Sequence, residues 1–363
     1  MVTPYESLGV LVPGRSPRDE LRAWLAVHEI FHLHPVDGAR ALQEDGDPAA
    51  VLARDTPRRV PGASALDERI GLLEALGIVA LPLLAPGYPE RLRALEDAAP
   101  LLLVRGEPGV LLGRSVAIVG ARAPSVYGIE VARRLATALA RAGVVVVSGL
   151  ARGIDSVAHR AALDAGGLTV AFMACGPDRV YPPEHALLAD QIASSGAVVT
   201  EMPPRKPPLA GFFPLRNRLI AGLAEIVIVV EGRLKSGSLV TARRALDQGC
   251  EVMAVPGPID SATSEGPNRL LRDDAARPLT RVEDVFEALD LAPPPAPDEA
   301  AGTLGEVSRR LLRALQRGPC TRDELGRRLG VAAGPLSVAL TELELAGRVA
   351  TDRDGRLRAL GRS

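Results

Sequence analysis

The chain has little of what marks a secreted, membrane-bound or broadly cationic protein. Three cysteines, Cys175, Cys250 and Cys320, are scattered over 363 residues with no CxxC pair. That argues against a disulfide framework or a zinc knuckle and suits buried, reduced thiols. Hydrophobic residues make up 47% of the chain, yet no apolar run approaches the roughly 18 to 20 residues of a membrane span, and the N-terminus has no signal-peptide pattern. A cytoplasmic protein is expected. Net charge is −1, so no global field attracts a polyanion, and any nucleic-acid site must be a local patch. Lysine is nearly missing, with only Lys206 and Lys235 among the basic residues. Also missing are GxGxxG and GxxxxGK[ST], so neither ordinary dinucleotide binding nor NTP hydrolysis is supported.

What is present suggests two or three domains, the usual partition for this length. Residues 1–84 carry Leu and Ala at helical spacing, with loop signals such as Pro35-Val36-Asp37-Gly38, and read as a small helical domain. From 85 to 290 the pattern changes to short valine-rich runs alternating with amphipathic stretches, as buried parallel strands joined by crossover helices require. Strands are expected at Val116–Val119, Val144–Val147, Leu168–Phe172, Ala197–Thr200, Glu225–Val230 and Glu251–Ala254. The fold class is therefore α/β, a Rossmann-like, doubly wound, mostly parallel sheet. A proline- and alanine-rich linker follows at 291–303, extended rather than packed. Residues 304–363 read as three helices and two short strands, the spacing of a winged helix.

Three of the expected strands run into glycine-containing loops that open helices: Val119 to Arg122, Ser148 to Gly153 and Lys235 to Ser238. In a doubly wound sheet, ligands bind at the carboxyl ends of strands, where loop amides and helix N-termini face an anion. The three loops could form one phosphate-binding rim, although each glycine could equally serve only its turn.

The stretch Phe212 to Leu223, FFPLRNRLIAGL, opens an apolar helix with aromatics, a proline and two arginines around Asn217. Arg216 and Arg218 point to different sides of the helix start. Phosphate would satisfy both, and Phe212 or Phe213 would offer a stacking face for an unpaired base. An ion-paired helix start beside two core phenylalanines is the competing explanation.

These segments, taken in order, resemble the DNA processing protein A family, also called Smf, over essentially the whole chain. The matching features are PGYPERL at Pro86 to Leu92, VGAR followed by Tyr127-Gly128, SGLARGID with His159, and Asp178 with Tyr181-Pro182. Glu201, FPLRNRLIAGL, Glu231, SGSLVTA at Ser236 to Ala242, Pro256-Gly257 and GPNRLL at Gly266 to Leu271 complete the set. The resemblance implies an extended Rossmann fold that forms a homodimer and binds single-stranded DNA in a basic pocket. It further implies loading of a RecA-type recombinase in natural transformation and recombination, with a single-strand-binding protein as a further candidate partner, no cofactor and no catalysis. Carried over by position, the nucleic-acid contacts are Gly120, Arg122, Gly149, Lys206, Phe213, Arg216, Asn217, Arg218, Lys235, Ser236, Gly237, Ser238 and Thr241. The N-terminal domain is then sterile-alpha-motif-like or helix-hairpin-helix-like.

Three details set out the alternatives. His28-Glu29-Ile30-Phe31-His32 fits HExxH, but catalytic zinc needs a third protein ligand, and His34 lies only two residues on. In the C-terminal segment, twelve arginines face seven carboxylates, yet the expected recognition helix, 334–345, carries Glu342 and Glu344 and no basic residue, a poor face for the major groove. A winged-helix transcription regulator would have to read duplex DNA with that helix. A phosphoribohydrolase-like enzyme would need the glutamate of PGGxGTxxE, which SGSLVTARRA lacks; Glu201 and Glu231 are the substitutes a general acid or base would require.

Overall fold

Alternation along the valine-rich runs builds the centre of the protein. In the computed structural model, which describes residues 15–54, 60–294, 306–315, 318–345, 349–352 and 355–359, these runs become parallel strands buried on both faces. Ala117, Val119, Val145, Val147, Val227 and Val229 contribute to one core cluster, whereas Val116, Ile118, Val146, Ile226 and Ile228 contribute to another. Period-two alternation thus feeds two hydrophobic layers. Each fully buried Val, Leu or Ile contributes about 1.5–3 kcal/mol.

In chain order, helices α1 (Pro17–Phe31), α2 (Pro35–Asp45), α3 (Pro48–Arg54) and α4 (Ala63–Ala75) precede β1 (Ile78–Pro82). There follow α5 (Glu90–Arg93), β2 (Leu101–Gly106), β3 (Ser115–Val119), α6 (Val126–Arg141), β4 (Val145–Ser148), α7 (Ile154–Asp164) and β5 (Thr169–Met173). Next come α8 (Ala186–Ser195), β6 (Ala197–Thr200), α9 (Phe212–Leu223), β7 (Ile226–Val229), α10 (Gly237–Asp247), β8 (Glu251–Ala254), α11 (Glu265–Arg272), β9 (Arg277–Pro278) and α12 (Glu283–Ala288). The sheet order is β1-β2-β6-β5-β4-β3-β7-β8-β9. Strands β3 to β9 run parallel, and β2 pairs antiparallel with both β6 and β1.

All six expected strands are present, with ends shifted by a residue at most. Three more were not expected. β1 lies inside the stretch read as helical; its sequence IVALP is buried throughout and pairs with β2, a partner about twenty residues on that local periodicity does not reveal. β9 is only two residues long.

Helix α1 starts where Ser16 accepts a hydrogen bond from the Asp19 amide, with Pro17 in the first turn and Asp19 and Glu20 beside the positive helix end. Its inner face, Leu21, Trp24 and Leu25, shares a core with Leu42, Val51, Ile70 and the sheet residues Leu81 and Leu103. Residues 1–293 thus make one compact unit.

The second unit, 294–363, is α13 (Glu306–Leu315), α14 (Arg322–Leu329), α15 (Ala333–Leu345) and the antiparallel pair β10 (Val349–Thr351) and β11 (Leu357–Ala359). Thr321 and Glu324 form a reciprocal capping box at the start of α14. Leu311, Leu315, Leu325, Leu340, Leu343 and Leu357 form its core. This is a winged helix. Most of the expected linker, from residue 295 on, lies outside the described residues.

Candidate functional site

Strand order makes a crevice before any side chain is considered. The chain winds from β3 through β4, β5 and β6 to one side, then crosses back to place β7 on the other side of β3. At such a reversal the loops leaving the carboxyl ends of neighbouring strands separate and open a cleft. A cleft of about 560 Å³ lies there, lined by the loops after β3, β4 and β7 and by the first turns of α9 and α10.

The loop after β3 begins at Gly120, where a Cβ would come within 2.6 Å of Ile154 Cγ1, so a larger residue would push the loop off α7. Arg122 follows, exposed, its guanidinium carbon 5.7 Å from the Phe213 ring centroid, within cation–π range. Phe212 is buried, while Phe213 is partly exposed and lines the cleft.

The loop after β4 is tied by Asp155, whose carboxylate accepts from the amides of Gly149 and Ala151 at 3.1 and 3.3 Å. Gly149 lies under Arg216: a Cβ there would be 2.8 Å from the guanidinium. Arg216 donates through Nη1 to the carbonyls of Gly149, at 2.7 Å, and Phe172, and through Nε to Asn217 Oδ1 at 3.2 Å. Burial pushes the Arg216 guanidinium down to about 10, opposed by the Asp155 charge, so it remains cationic at neutral pH. Burial also pushes the Asp155 carboxyl up, opposed by Arg216 and the loop amides.

The loop after β7 supplies exposed Arg233 and Lys235 and then the N-terminus of α10. Ser236 stands at the cap position, but its side chain does not cap the helix; its Oγ lies 2.8 Å from Ser238 Oγ. Asn217 Nδ2 reaches the Gly237 carbonyl at 3.2 Å, and Thr241 Oγ1 bonds it at 3.3 Å. The uncapped first turn of α10 carries partial positive charge suited to an anion. Among the described residues Arg122, Arg233 and Lys235 form no ion pair, and Asp155 is the only carboxylate that lines the cleft. The cleft is therefore electropositive although the chain as a whole is not.

Of the residues read from sequence, Gly120, Arg122, Phe213, Arg216, Asn217, Lys235, Ser236, Gly237, Ser238 and Thr241 line this cleft. Gly149 sits just behind Arg216. Two others are elsewhere, and both are corrections. Arg218 is 1% exposed, ion-paired to Glu201 and 3.3 Å from Asp97. Two residues along a helix are roughly 200° apart, so the cleft that receives Arg216 cannot receive Arg218. Burial and ion pairing do explain this arginine. Lys206 pairs with Glu29 of α1 at 3.6 Å rather than facing the cleft.

Asp155 and Arg233 were not singled out from the sequence. Asp155 lies inside SGLARGID, and only a position six residues after Gly149 on the opening turn of α7 signals its role. Arg233 has no local signal beyond following a strand.

The first histidine of HExxH holds the architecture. His28 is buried, with Nε2 2.6 Å from the Glu201 carbonyl, joining α1 to the end of β6; burial lowers its imidazole to about 3. Glu29 meets Arg69 at 2.9 Å as well as Lys206. Glu231 accepts from the Ser125 amide and hydroxyl at 2.9 and 2.5 Å. Neither Glu201 nor Glu231 lines the cleft.

Comparison with known proteins gives a consistent result. The family model described as DNA recombination-mediator protein A matches residues 80–290, and the DprA winged helix domain model matches 292–355. Protein Smf of Escherichia coli is 40% identical over 280 residues, 75% of each chain. DNA processing protein DprA of Bacillus subtilis is 38% identical over 275 residues, covering 76% of this chain and 91% of that one. Among solved structures, DNA processing protein A from Streptococcus pneumoniae aligns at 33% identity with a TM-score of 0.60, over 74% of this chain and 94% of that one. The Helicobacter pylori protein, whose structure was described for its single-stranded DNA binding mode, aligns at 30% identity with a TM-score of 0.55, over 59% and 97%.

Proposed function

The chain belongs to the DNA recombination-mediator protein A family, and from that membership we propose that it binds single-stranded DNA without regard to sequence. In this reading it is a cytoplasmic homodimer that protects the strand and loads a RecA-type recombinase on it in natural transformation and recombination, without catalysing a reaction. The observation that carries the proposal is the switch-point cleft, where Arg122, Arg233 and Lys235, with no carboxylate partner among the described residues, surround an uncapped helix N-terminus beside a partly exposed phenylalanine.

The chemistry suits a single strand. Arginine, lysine and loop amides hold phosphates without reading bases, and aromatic faces take unpaired bases of any identity. The recognition helix of the winged domain offers duplex DNA little, because α15 has no basic residue. Catalysis is disfavoured because Glu201 and Glu231 are both buried and lie outside the cleft, while Asp155 holds two loop amides. The division read at 84, 290 and 303 serves the same reading, with residues 85–290 holding the strand, the N-terminal helices packed into the same core as the sheet, and the winged helix left for protein contacts.

Fluorescence anisotropy of labelled single-stranded and duplex oligonucleotides across a salt series tests the proposal. Tight, salt-sensitive binding that favours the single strand is expected. Equal or duplex-preferring binding, unaffected by Arg122→Ala, would remove the cleft from consideration.

A further inference from the structure

We propose that Tyr181, at the rim of the cleft, is the ring on which an unpaired base stacks, and that Phe213 is its backing. This deepens the single-strand reading and rests on it. Phe213, the aromatic that sequence pattern nominates, is already engaged. The Arg122 guanidinium sits over its ring at 5.7 Å from the centroid, and the Tyr181 ring packs edge-on against it at 5.6 Å, with 63° between planes. Tyr181 is 39% exposed, and among the described residues no cation stacks over its ring. Its hydroxyl makes no hydrogen bond among the described residues, so the ring presents an apolar face and a polar tip to solvent, the form that suits a wet binding surface.

The position of Tyr181 is built rather than incidental. Its segment is tied to the loop after β4 twice, by the Arg152–Glu184 ion pair and by His185 Nδ1 at 2.9 Å from the Leu150 carbonyl. That loop lines the cleft through Ala151. The segment is thereby held against the loop after β4, and the ring against Phe213, which lowers the ordering entropy lost when a base docks. A phosphate bound at Arg122 then places the neighbouring base over Tyr181.

The test is anisotropy with a labelled thymidine oligonucleotide, comparing wild type with Tyr181→Ala, Tyr181→Phe and Arg122→Ala, and intrinsic fluorescence of Tyr181→Trp. The chain has one native tryptophan, Trp24, which is buried among the N-terminal helices. Its emission is a constant background. Tyr181→Ala is expected to weaken binding about 5- to 100-fold, as loss of one stacked base does, with the salt slope unchanged because no phosphate contact is lost. Tyr181→Phe should stay within about twofold of wild type, since it keeps the π-face. Oligonucleotide should quench the new indole of Tyr181→Trp and leave wild-type emission unchanged. If Arg122→Ala weakens binding but Tyr181→Ala does not, the cleft stands and the Tyr181 assignment falls. Equal loss in Tyr181→Ala and Tyr181→Phe, or no quenching, also overturns it. If wild type binds no single strand, the cleft reading and this inference fall together.

Discussion

Arg216 and Arg218 are two residues apart on α9, yet they belong to regions of opposite character. Arg216 lines a cleft whose other cations, Arg122, Arg233 and Lys235, have no carboxylate partners among the described residues. Arg218 sits buried at a junction where Glu201, Asp97 and His28 join the helical N-terminal part to the sheet. Unpaired charge at a strand switch point is available to a ligand, whereas paired and buried charge holds elements together. Arginine count along the sequence cannot separate these roles, and partner geometry does.

Breaking the junction should have the largest effect. Arg218→Ala leaves Glu201 buried without its counter-ion and is expected to destabilise the protein by about 3–5 kcal/mol. Urea unfolding would show this, and Arg218→Met combined with Glu201→Gln should recover much of the loss. A full-sized loss of DNA affinity with unchanged stability would instead move Arg218 into the cleft.

The pH dependence sharpens the same contrast. His28 is held neutral by burial, its imidazole lowered from 6.5 to about 3. Between those values the unfolded chain binds the proton and the folded chain does not, so this group's contribution falls as pH falls. Glu201, raised to about 7 by burial, tilts stability the other way, because its contribution is lost as pH rises from the ordinary carboxylate range toward 7. Subtracting His28→Gln from wild type isolates the histidine: the difference should move against wild type by up to about 1.4 kcal/mol per pH unit on going below 6.5. A flat difference would show that His28 is solvated.

In the cleft, Arg122→Ala and Lys235→Ala should leave the unfolding midpoint nearly unchanged. Each should reduce the salt slope of single-strand binding by about 0.7, the loss of one phosphate contact. A shifted midpoint with an unaltered slope would make these residues structural. The smallest effect is expected for Lys206→Ala. Its partner Glu29 lies on α1, and an exposed or half-buried ion pair is worth about 0–1 kcal/mol, so affinity should stay within about twofold.

Much of this was legible in advance. The valine-rich runs specified six strands because residues buried on both faces leave no polar positions. The glycine loops and FPLRNR marked the cleft because backbone turns and helix starts are local events. β1 and β2 were not legible, since their antiparallel pairing is a contact between separate segments. Asp155 and Tyr181 were present in recognised motifs, but their roles depend on what lies across the cleft.

The sequence by itself determined the kind of protein: its family, its α/β pattern, its winged-helix end and the loops able to hold phosphate. Only the tertiary structure decided which charges remain free. Arg216 reaches the cleft, while Arg218 and Lys206 meet Glu201 and Glu29. Periodicity can place residues on opposite sides of a helix, but solvent, substrate space or a buried carboxylate on each side is set by elements distant in the chain.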